Sequence, residues 1–199
     1  MEQNNSEYRR QNNQDIKPMT RIGILGGIGF GKSYVAKLFG YPVFNADVEV
    51  SKLYKKNRKC YKKLKKILPD YIKSFPIKKK NLTKAVIKNQ KNLKKITKII
   101  HPEIRTSLVQ FIKKNKNKKF VVLDIPLLIE NKINKKNDIL VFVDAKKKDV
   151  EKKLKQKYRN NLKIVNKLKK FQLDVEKKKI KSDFVIKNNF KHNPVKKKC

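Results

Sequence analysis

The chain has 199 residues, enough for one domain with a lid or small subdomain but too few for two domains of ordinary size. Its 55 lysines and arginines outweigh 16 acidic residues, giving a net charge of +39. Because the lysines are spread over the whole chain rather than gathered on one face or tail, we place compositional bias ahead of nucleic-acid binding as the origin of most of this charge.

Two cysteines and two histidines are too few and too scattered for a disulfide framework or a zinc cluster, which indicates a reducing, cytoplasmic setting. No run of residues approaches the roughly 18 apolar positions that a membrane span requires, so no membrane association is predicted.

Short apolar runs alternate along the chain with helix-compatible stretches. Residues 1–19, rich in Gln and Asn, predict a disordered tail. The apolar runs that follow are typical of buried parallel strands: RIGIL (21–25), YPVF (41–44), FVVLDI (120–125), ILVFVD (139–144) and DFVI (183–186). Helices are predicted over 32–39, 46–73, 81–114, 147–157 and 161–181. This alternation predicts an α/β fold, a parallel sheet of about five strands with helices on both faces.

Two Lys-rich segments interrupt the predicted core. Residues 48–97 carry Leu, Ile and Tyr at helical spacing with prolines as breaks, which predicts a helical insert. Residues 146–182 are more cationic still, and a basic helical hairpin between two strands is typical of a lid over phosphates. We therefore predict a single domain over 20–199, with a core of 20–47, 98–145 and 183–199.

The first strand leads into GGIGFGKS (26–33), which matches G-x-x-x-x-G-K-[ST] between a strand and a helix. The glycines let backbone N–H groups turn toward phosphate oxygens, Lys32 reaches the β- and γ-phosphates, and Ser33 is a candidate ligand of Mg²⁺. The pattern predicts a P-loop NTPase fold that binds ATP with Mg²⁺; the alternative is a glycine-rich turn without a ligand.

Two aspartates follow predicted strands, at the sheet edge where ligands of such folds bind. Asp47 is a candidate group to accept the proton of an attacking hydroxyl or to orient it, and it is equally suited to cap the next helix. Asp124 is a candidate metal group, acting through water, with capping of the turn at 126–128 as the alternative.

Several stretches together resemble the dephospho-CoA kinase family over about residues 20–190. They are GILGGIGFGKSYVAKLF (23–39), NAD (45–47), HPEIR (101–105), VVLDIPLLIE (121–130) and SDFVIKNN (182–189). The resemblance implies a transferase of coenzyme A biosynthesis, which moves the γ-phosphoryl group of ATP to the 3′-hydroxyl of the dephospho-CoA ribose. It also implies that the insert binds the acceptor and that the hairpin is the lid.

The resemblance assigns roles to individual positions. Asp47 matches the aspartate that acts on the hydroxyl, and Asn188 matches an Asn near the adenine. Positions of the ATP loop are matched by Gly29, Phe30, Gly31, Lys32, Ser33 and Tyr34. Motif positions expected near the acceptor are matched by His101, Arg105, Pro126, Leu127, Leu128 and Glu130, of which His101 and Glu130 could equally be structural.

The chain departs from the family pattern at several of these places. Asn45 stands where an Asp is usual, and Tyr34 where a Thr is usual. In the lid, Lys153 and Lys157 stand where arginines are usual. A lysine cannot make the bidentate hydrogen bonds to phosphate that an arginine makes. We expect Lys157 or Arg159 to close over the phosphates as a catalytic cation, the alternative being lysines on a solvated helix face.

Two rival functions stay open on the sequence alone. Another small-molecule P-loop kinase, with a nucleoside or nucleotide as acceptor, would explain the phosphate loop and Asp47 but not HPEIR or SDFVIKNN. A basic nucleic-acid-binding protein would explain the charge, but many aromatic residues fall in or beside predicted strands, where packing accounts for them.

Overall fold

The computed structural model describes residues 19–158 and 162–191, except for the side chains at 157, 158, 162–164 and 167. The tail predicted over 1–19 therefore lies outside the described residues apart from Met19. The strands are β1 (Thr20–Leu25), β2 (Val43–Asn45), β3 (Phe120–Asp124), β4 (Ile139–Asp144) and β5 (Phe184–Lys187). They form one sheet in the order β2-β3-β1-β4-β5. All neighbouring pairs are parallel, which confirms the predicted fold class.

Helices cover both faces of the sheet and connect the strands, except that turns alone join β3 to β4. In chain order they are α1 (Lys32–Leu38), α2 (Ala46–Lys56), α3 (Arg58–Ile67), α4 (Lys79–Lys88), α5 (Lys91–Lys114), α6 (Lys147–Tyr158), α7 (Leu162–Lys169) and α8 (Val175–Ile180). Within β3, Val122 packs with residues of α1, whereas Leu123 packs with Leu108 of α5. Successive side chains of the strand thus enter different cores, which is why the central strands are largely apolar between their ends.

The predicted helices 46–73 and 81–114 are each divided in two. At Asn57 the backbone is extended (φ −92°, ψ 96°), and Asn57 Oδ1 accepts the backbone N–H of Cys60, which starts α3. Asn89 makes a similar break before α5, accepting the N–H of Lys91. The helix predicted over 161–181 is likewise two helices, since Asp174 caps α8. Asparagine and aspartate side chains that bond nearby backbone N–H groups favour these ends over helix interiors.

Helices α2 to α5 enclose an apolar cluster separate from those against the sheet. Its buried members all fall within residues 54–100, among them Leu64 and Ile72, which are almost fully buried. Helix α5 belongs to both regions, because its C-terminal half packs against β3 through Leu108. In the described part of the chain, no helix is long and apolar enough to cross a membrane.

Candidate active site

The phosphate loop lies between the end of β1 and the start of α1, as the sequence predicts. Gly29 and Gly31 have φ of +86° and +85°, a conformation that glycine adopts without strain. A Cβ at Gly31 would lie 2.3 Å from Asn188 Nδ2, and a Cβ at Gly29 would lie 3.0 Å from Leu154 of α6. The glycines therefore allow both the turn and its close packing against later parts of the chain.

Lys32 folds back over this loop. Its Nζ donates to the carbonyl oxygens of Gly26 (3.1 Å) and Gly27 (2.8 Å). Burial, and after it the charge of Lys178, lower the pKa of Lys32 to about 8, against the opposing effect of nearby carboxylates. An anion at the loop would favour the charged form, so the site is electrostatically suited to phosphate.

Asp124 and Asn45 lie side by side at the carboxyl ends of β3 and β2, paired in register. Asn45 Nδ2 donates to Asp124 Oδ2 at 2.5 Å and lies 3.4 Å from Ser33 Oγ. Burial raises the pKa of Asp124, which is 3% exposed, while a hydrogen bond with Ser33 and the charge of Lys32 act against that rise. The Asp124 side chain therefore forms hydrogen bonds with Asn45 and Ser33 rather than capping the turn at 126–128.

Asp47 is exposed in the first turn of α2. The cap of this helix is Asn45, whose Oδ1 accepts the N–H of Val48 at 2.9 Å, so Asp47 does not serve as the cap. The charge of Asp47 acts on both Lys32 and Asp124. The structure thus brings the Asp47 carboxylate close to Lys32 and Asp124, beside the phosphate loop.

Asn188, which sequence reasoning placed near adenine, is buried and tied to the phosphate loop. Its Nδ2 donates to the carbonyl of Phe30 at 2.9 Å, and its N–H donates to that of Asp144 at 2.7 Å. A cavity of about 200 Å³ is lined in part by the next two residues, Asn189 and Phe190, and by Gln156 of α6. Asn188 therefore fastens the chain after β5 to the loop.

Phe30 and Tyr34, the unusual residues of the loop, pack inward. The ring of Phe30 meets Phe142 edge to face, with centroids 6.3 Å apart, and closes over Gly27. Tyr34 is half-buried against the α1 side of the sheet. Packing explains both side chains, while the loop backbone stays available to phosphate.

The residues expected near the acceptor fall into two groups. His101 and Arg105 lie one turn apart on α5, and burial with the nearby Arg105 charge lowers the pKa of His101. Pro126 and Leu127 are half-buried in the turn after Asp124, but Leu128 is only 1% exposed and packs in the core, where it would clash with any side chain at Gly23. In this structure Leu128 presents no open surface.

Glu130 makes a buried ion pair that sequence reasoning missed. Its Oε1 lies 2.8 Å from Nζ of Lys178 on α8 and accepts the N–H of Leu173 at 3.0 Å. Lys178 sits in the run EKKKIK (176–181), where nothing in the sequence separates it from exposed neighbours. The Asn45 contact was also missed, although its position between a strand and a helix is a typical capping signal.

Of the three cations expected in the lid, the structure describes the side chain of Lys153 only. Lys153 is exposed on α6, with Nζ 4.8 Å from the centroid of the Phe190 ring. The side chain of Lys157 and the whole of Arg159 lie outside the described residues.

The chain is similar to dephospho-CoA kinases over most of its length. The family model for dephospho-CoA kinase matches residues 20–193. A dephospho-CoA kinase of Wolbachia sp. subsp. Brugia malayi is 33% identical over 170 residues, covering 83% of this chain and 87% of the relative. A dephospho-CoA kinase of Bartonella henselae is 34% identical over 179 residues, covering 84% of this chain and 88% of the relative.

Solved structures share the fold. A Thermus thermophilus protein has a TM-score of 0.73 at 24% identity, covering 90% of this chain and 93% of that protein. A dephospho-CoA kinase from Campylobacter jejuni has a TM-score of 0.61 at 23% identity, covering 91% of this chain and 94% of that protein.

Proposed function

Because the chain belongs to the dephospho-CoA kinase family, we propose that it transfers the γ-phosphoryl group of ATP to the 3′-hydroxyl of the dephospho-CoA ribose, yielding ADP and coenzyme A. The observation that carries this proposal is the convergence of four side chains at the carboxyl ends of β1, β2 and β3. They are Lys32, Ser33, Asp47 and Asp124. Phosphoryl transfer to an alcohol needs such a set: a phosphate cradle, a cation, a metal group and a carboxylate for the hydroxyl.

The triphosphate of ATP would lie along the loop at residues 26–33. Lys32 would exchange its bonds to the Gly26 and Gly27 carbonyls for bonds to the β- and γ-phosphates. The cavity beside Asn188 is the place we assign to adenine, with Gln156 and Phe190 in its lining. Asn188 would act there by holding Phe30 and the loop in position.

Mg²⁺ fits the group formed by Ser33 and Asp124. Ser33 offers an oxygen ligand, which this cation prefers, and Asp124 would hold the ion through a bound water; the two side chains already share a hydrogen bond. The buried Asp124 carboxylate, whose pKa is raised, would gain a counter-charge. When bound, the ion would neutralise charge on the phosphate oxygens.

Asp47 is the residue we assign to the acceptor hydroxyl. It is exposed, free of the capping role, and close enough for its charge to act on Lys32. Its carboxylate would orient the 3′-hydroxyl and take up its proton as the oxygen attacks the γ-phosphorus.

The helical insert over 48–97 and the residues beside it would hold the rest of dephospho-CoA. Arg105 is exposed on α5 next to His101, which suits it to an anionic part of this substrate. Pro126 and Leu127 would line the same side, whereas Leu128 supports the turn from within the core. The lid over 146–182 would bring Lys157 or Arg159 to the phosphates. We place the reaction in the cytoplasm, in keeping with the chain's low cysteine content.

A coupled assay of ADP release with three acceptors tests the proposed function. Dephospho-CoA is expected to support turnover, and adenosine and AMP to give rates near that of ATP alone. Faster turnover with adenosine or AMP would instead favour a nucleoside or nucleotide kinase. A salt-sensitive gel shift without ATP-dependent activity would favour the nucleic-acid-binding alternative.

A further inference from the structure

Lys178 is the one buried lysine among the residues that the structure describes. Its side chain is 2% exposed and its Nζ lies 2.8 Å from Glu130 Oε1, whose side chain is 11% exposed. The adjacent Lys177 is exposed, and Lys179, on the other side, lies 3.5 Å from Asp144 at 40% exposure. Because a buried ammonium is costly unless it is paired, Lys178 depends on Glu130.

Glu130 holds the α8 segment at two points. Oε1 accepts both the backbone N–H of Leu173, just before α8, and the ammonium of Lys178, within it. The weaker contact of Lys179 with Asp144 fixes the same helix to the end of β4. Helix α8 is therefore fastened to the edge of the sheet that carries the phosphate site.

The ion pair lies beside the phosphate loop. The charges of Lys178 and Glu130 both act on Lys32, in opposite directions. Helix α8 follows α6 and α7, and it leads into β5 and Asn188, which bonds the carbonyl of Phe30. The chain that leaves the lid helices is thus tied to the loop region by Glu130 and again by Asn188.

Stability alone is a weak explanation for this pair. Replacing a buried ion pair by apolar side chains of similar size is often neutral or stabilising. Glu130 Oε2 is also buried, without a hydrogen-bond partner among the described residues, and an unsatisfied buried acceptor costs free energy. What the pair supplies is a fixed position for α8.

We propose that Glu130 and Lys178 are positioning residues for phosphoryl transfer, whose buried ion pair fixes α8 beside the phosphate loop and so orients α6 and α7 over the triphosphate. The inference rests on the proposed function, because its turnover assay uses ATP as donor and dephospho-CoA as acceptor. Neither residue needs to touch a substrate, because the effect is transmitted through the placement of the helix.

The test compares two double variants of the full chain. Glu130→Met with Lys178→Met removes the pair without leaving an unpaired charge. Glu176→Met with Lys177→Met makes the same changes at exposed positions of the same segment and serves as control. The kcat of the buried double variant is expected to fall about tenfold or more, because catalytic groups that are out of position slow the reaction. Its KM for dephospho-CoA is expected to stay within about threefold of wild type. The control is expected to stay within about twofold.

Hydrogen exchange separates positioning from general stability. Amides of α6 are expected to exchange faster in the buried double variant, while those of β1 and β3 keep their protection. A wild-type kcat in the folded variant would overturn the proposal, and so would a loss of protection across the whole sheet.

Two single variants keep the proposal testable if the double variant does not fold. Lys178→Arg preserves the charge and is expected to retain most of the kcat, whereas Glu130→Asp shortens the acid and is expected to reproduce the loss. Wild-type turnover by Glu130→Asp would overturn the inference. If wild-type protein leaves dephospho-CoA unphosphorylated, the proposed function fails. The role of the ion pair is then tested by hydrogen exchange with and without ATP. Faster exchange of the α6 amides in the buried double variant than in wild type would support it, and equal exchange would overturn it.

Discussion

The side-chain amide of Asn45 joins Asp124 to the start of α2. Nδ2 donates to Asp124 Oδ2 at 2.5 Å, and Oδ1 accepts the backbone N–H of Val48 at 2.9 Å. One residue thus caps the helix that carries Asp47 and fixes the carboxylate assigned to the metal. The Asn that departs from the family pattern is well suited to this place, because its amide is a donor to a buried carboxylate.

Asn45→Asp is expected to destabilise the metal-free protein. Aspartate also caps helices well, so α2 keeps its cap, but two carboxylates would meet at the Asp124 contact. We expect a loss of about 1–2 kcal/mol at neutral pH, of the size of an unfavourable buried polar contact. Because Mg²⁺ would relieve the repulsion, it should raise the Tm of the variant more than that of wild type. An equal rise in both proteins would contradict the metal role of Asp124.

ATP affinity is expected to fall as pH rises through about 8, the lowered pKa of Lys32 in the ATP-free protein. Below that pH the ammonium is charged and attracts phosphate; above it, binding must restore the proton, which weakens affinity by up to about tenfold per pH unit. The dissociation constant of ATP measured over pH 7 to about 9.5 checks this. Lys32→Arg, which keeps its proton, should show no such slope. A flat wild-type profile would contradict the prediction.

Gly31→Ala is expected to weaken ATP binding by tenfold or more, since the new methyl group would lie 2.3 Å from Asn188 Nδ2 and displace the bond to Phe30. Gly40→Ala is the matched control, because Gly40 also has a positive φ (+72°) but nothing within 4 Å of the added Cβ. Backbone strain of about 1–3 kcal/mol is common to both. Equal ATP affinities in the two variants would show that Asn188 does not support the loop.

Asp47→Asn is expected to lower kcat by about 10²- to 10⁴-fold, the range for loss of a positioned general base. The dissociation constant of ATP and the Tm should change little, because Asn45 rather than Asp47 caps α2. Glu49→Gln, on the same helix and paired with Lys52, serves as control. A lower Tm of Asp47→Asn without a fall in its kcat would instead show that Asp47 has a structural role.

The central strands β1, β3 and β4 were predictable because parallel strands that are buried on both faces appear as largely apolar runs. The edge strand β5 also has an apolar sequence, but Phe184 and Val185 are 61% and 43% exposed, so the burial predicted for this run was wrong. The phosphate loop was predictable because φ of Gly29 and Gly31 requires glycine at fixed spacing. The helix breaks at Asn57 and Asn89 were not, since an Asn in a lysine-rich run signals a cap only once its side chain bonds the following N–H.

Individual site residues were harder to predict where tertiary contacts decide their role. The sequence left Asp47 equally suited to capping and to chemistry, and only the Asn45 bond to Val48 removes the first role. Lys178 has the same chemical neighbours as Lys177 in the sequence, and its burial against Glu130 follows from how α8 packs. Long-range pairing of this kind leaves no local pattern.

The position of the new phosphate group is the sharpest test of the proposed phosphoryl transfer. Purified protein is incubated with ATP, Mg²⁺ and dephospho-CoA, and the product is examined by ³¹P NMR and mass spectrometry. We expect coenzyme A with a 3′-phosphomonoester, formed in step with ADP and strongly reduced with Asp47→Asn. Phosphate on another atom, or ADP release with dephospho-CoA left unchanged, would contradict it.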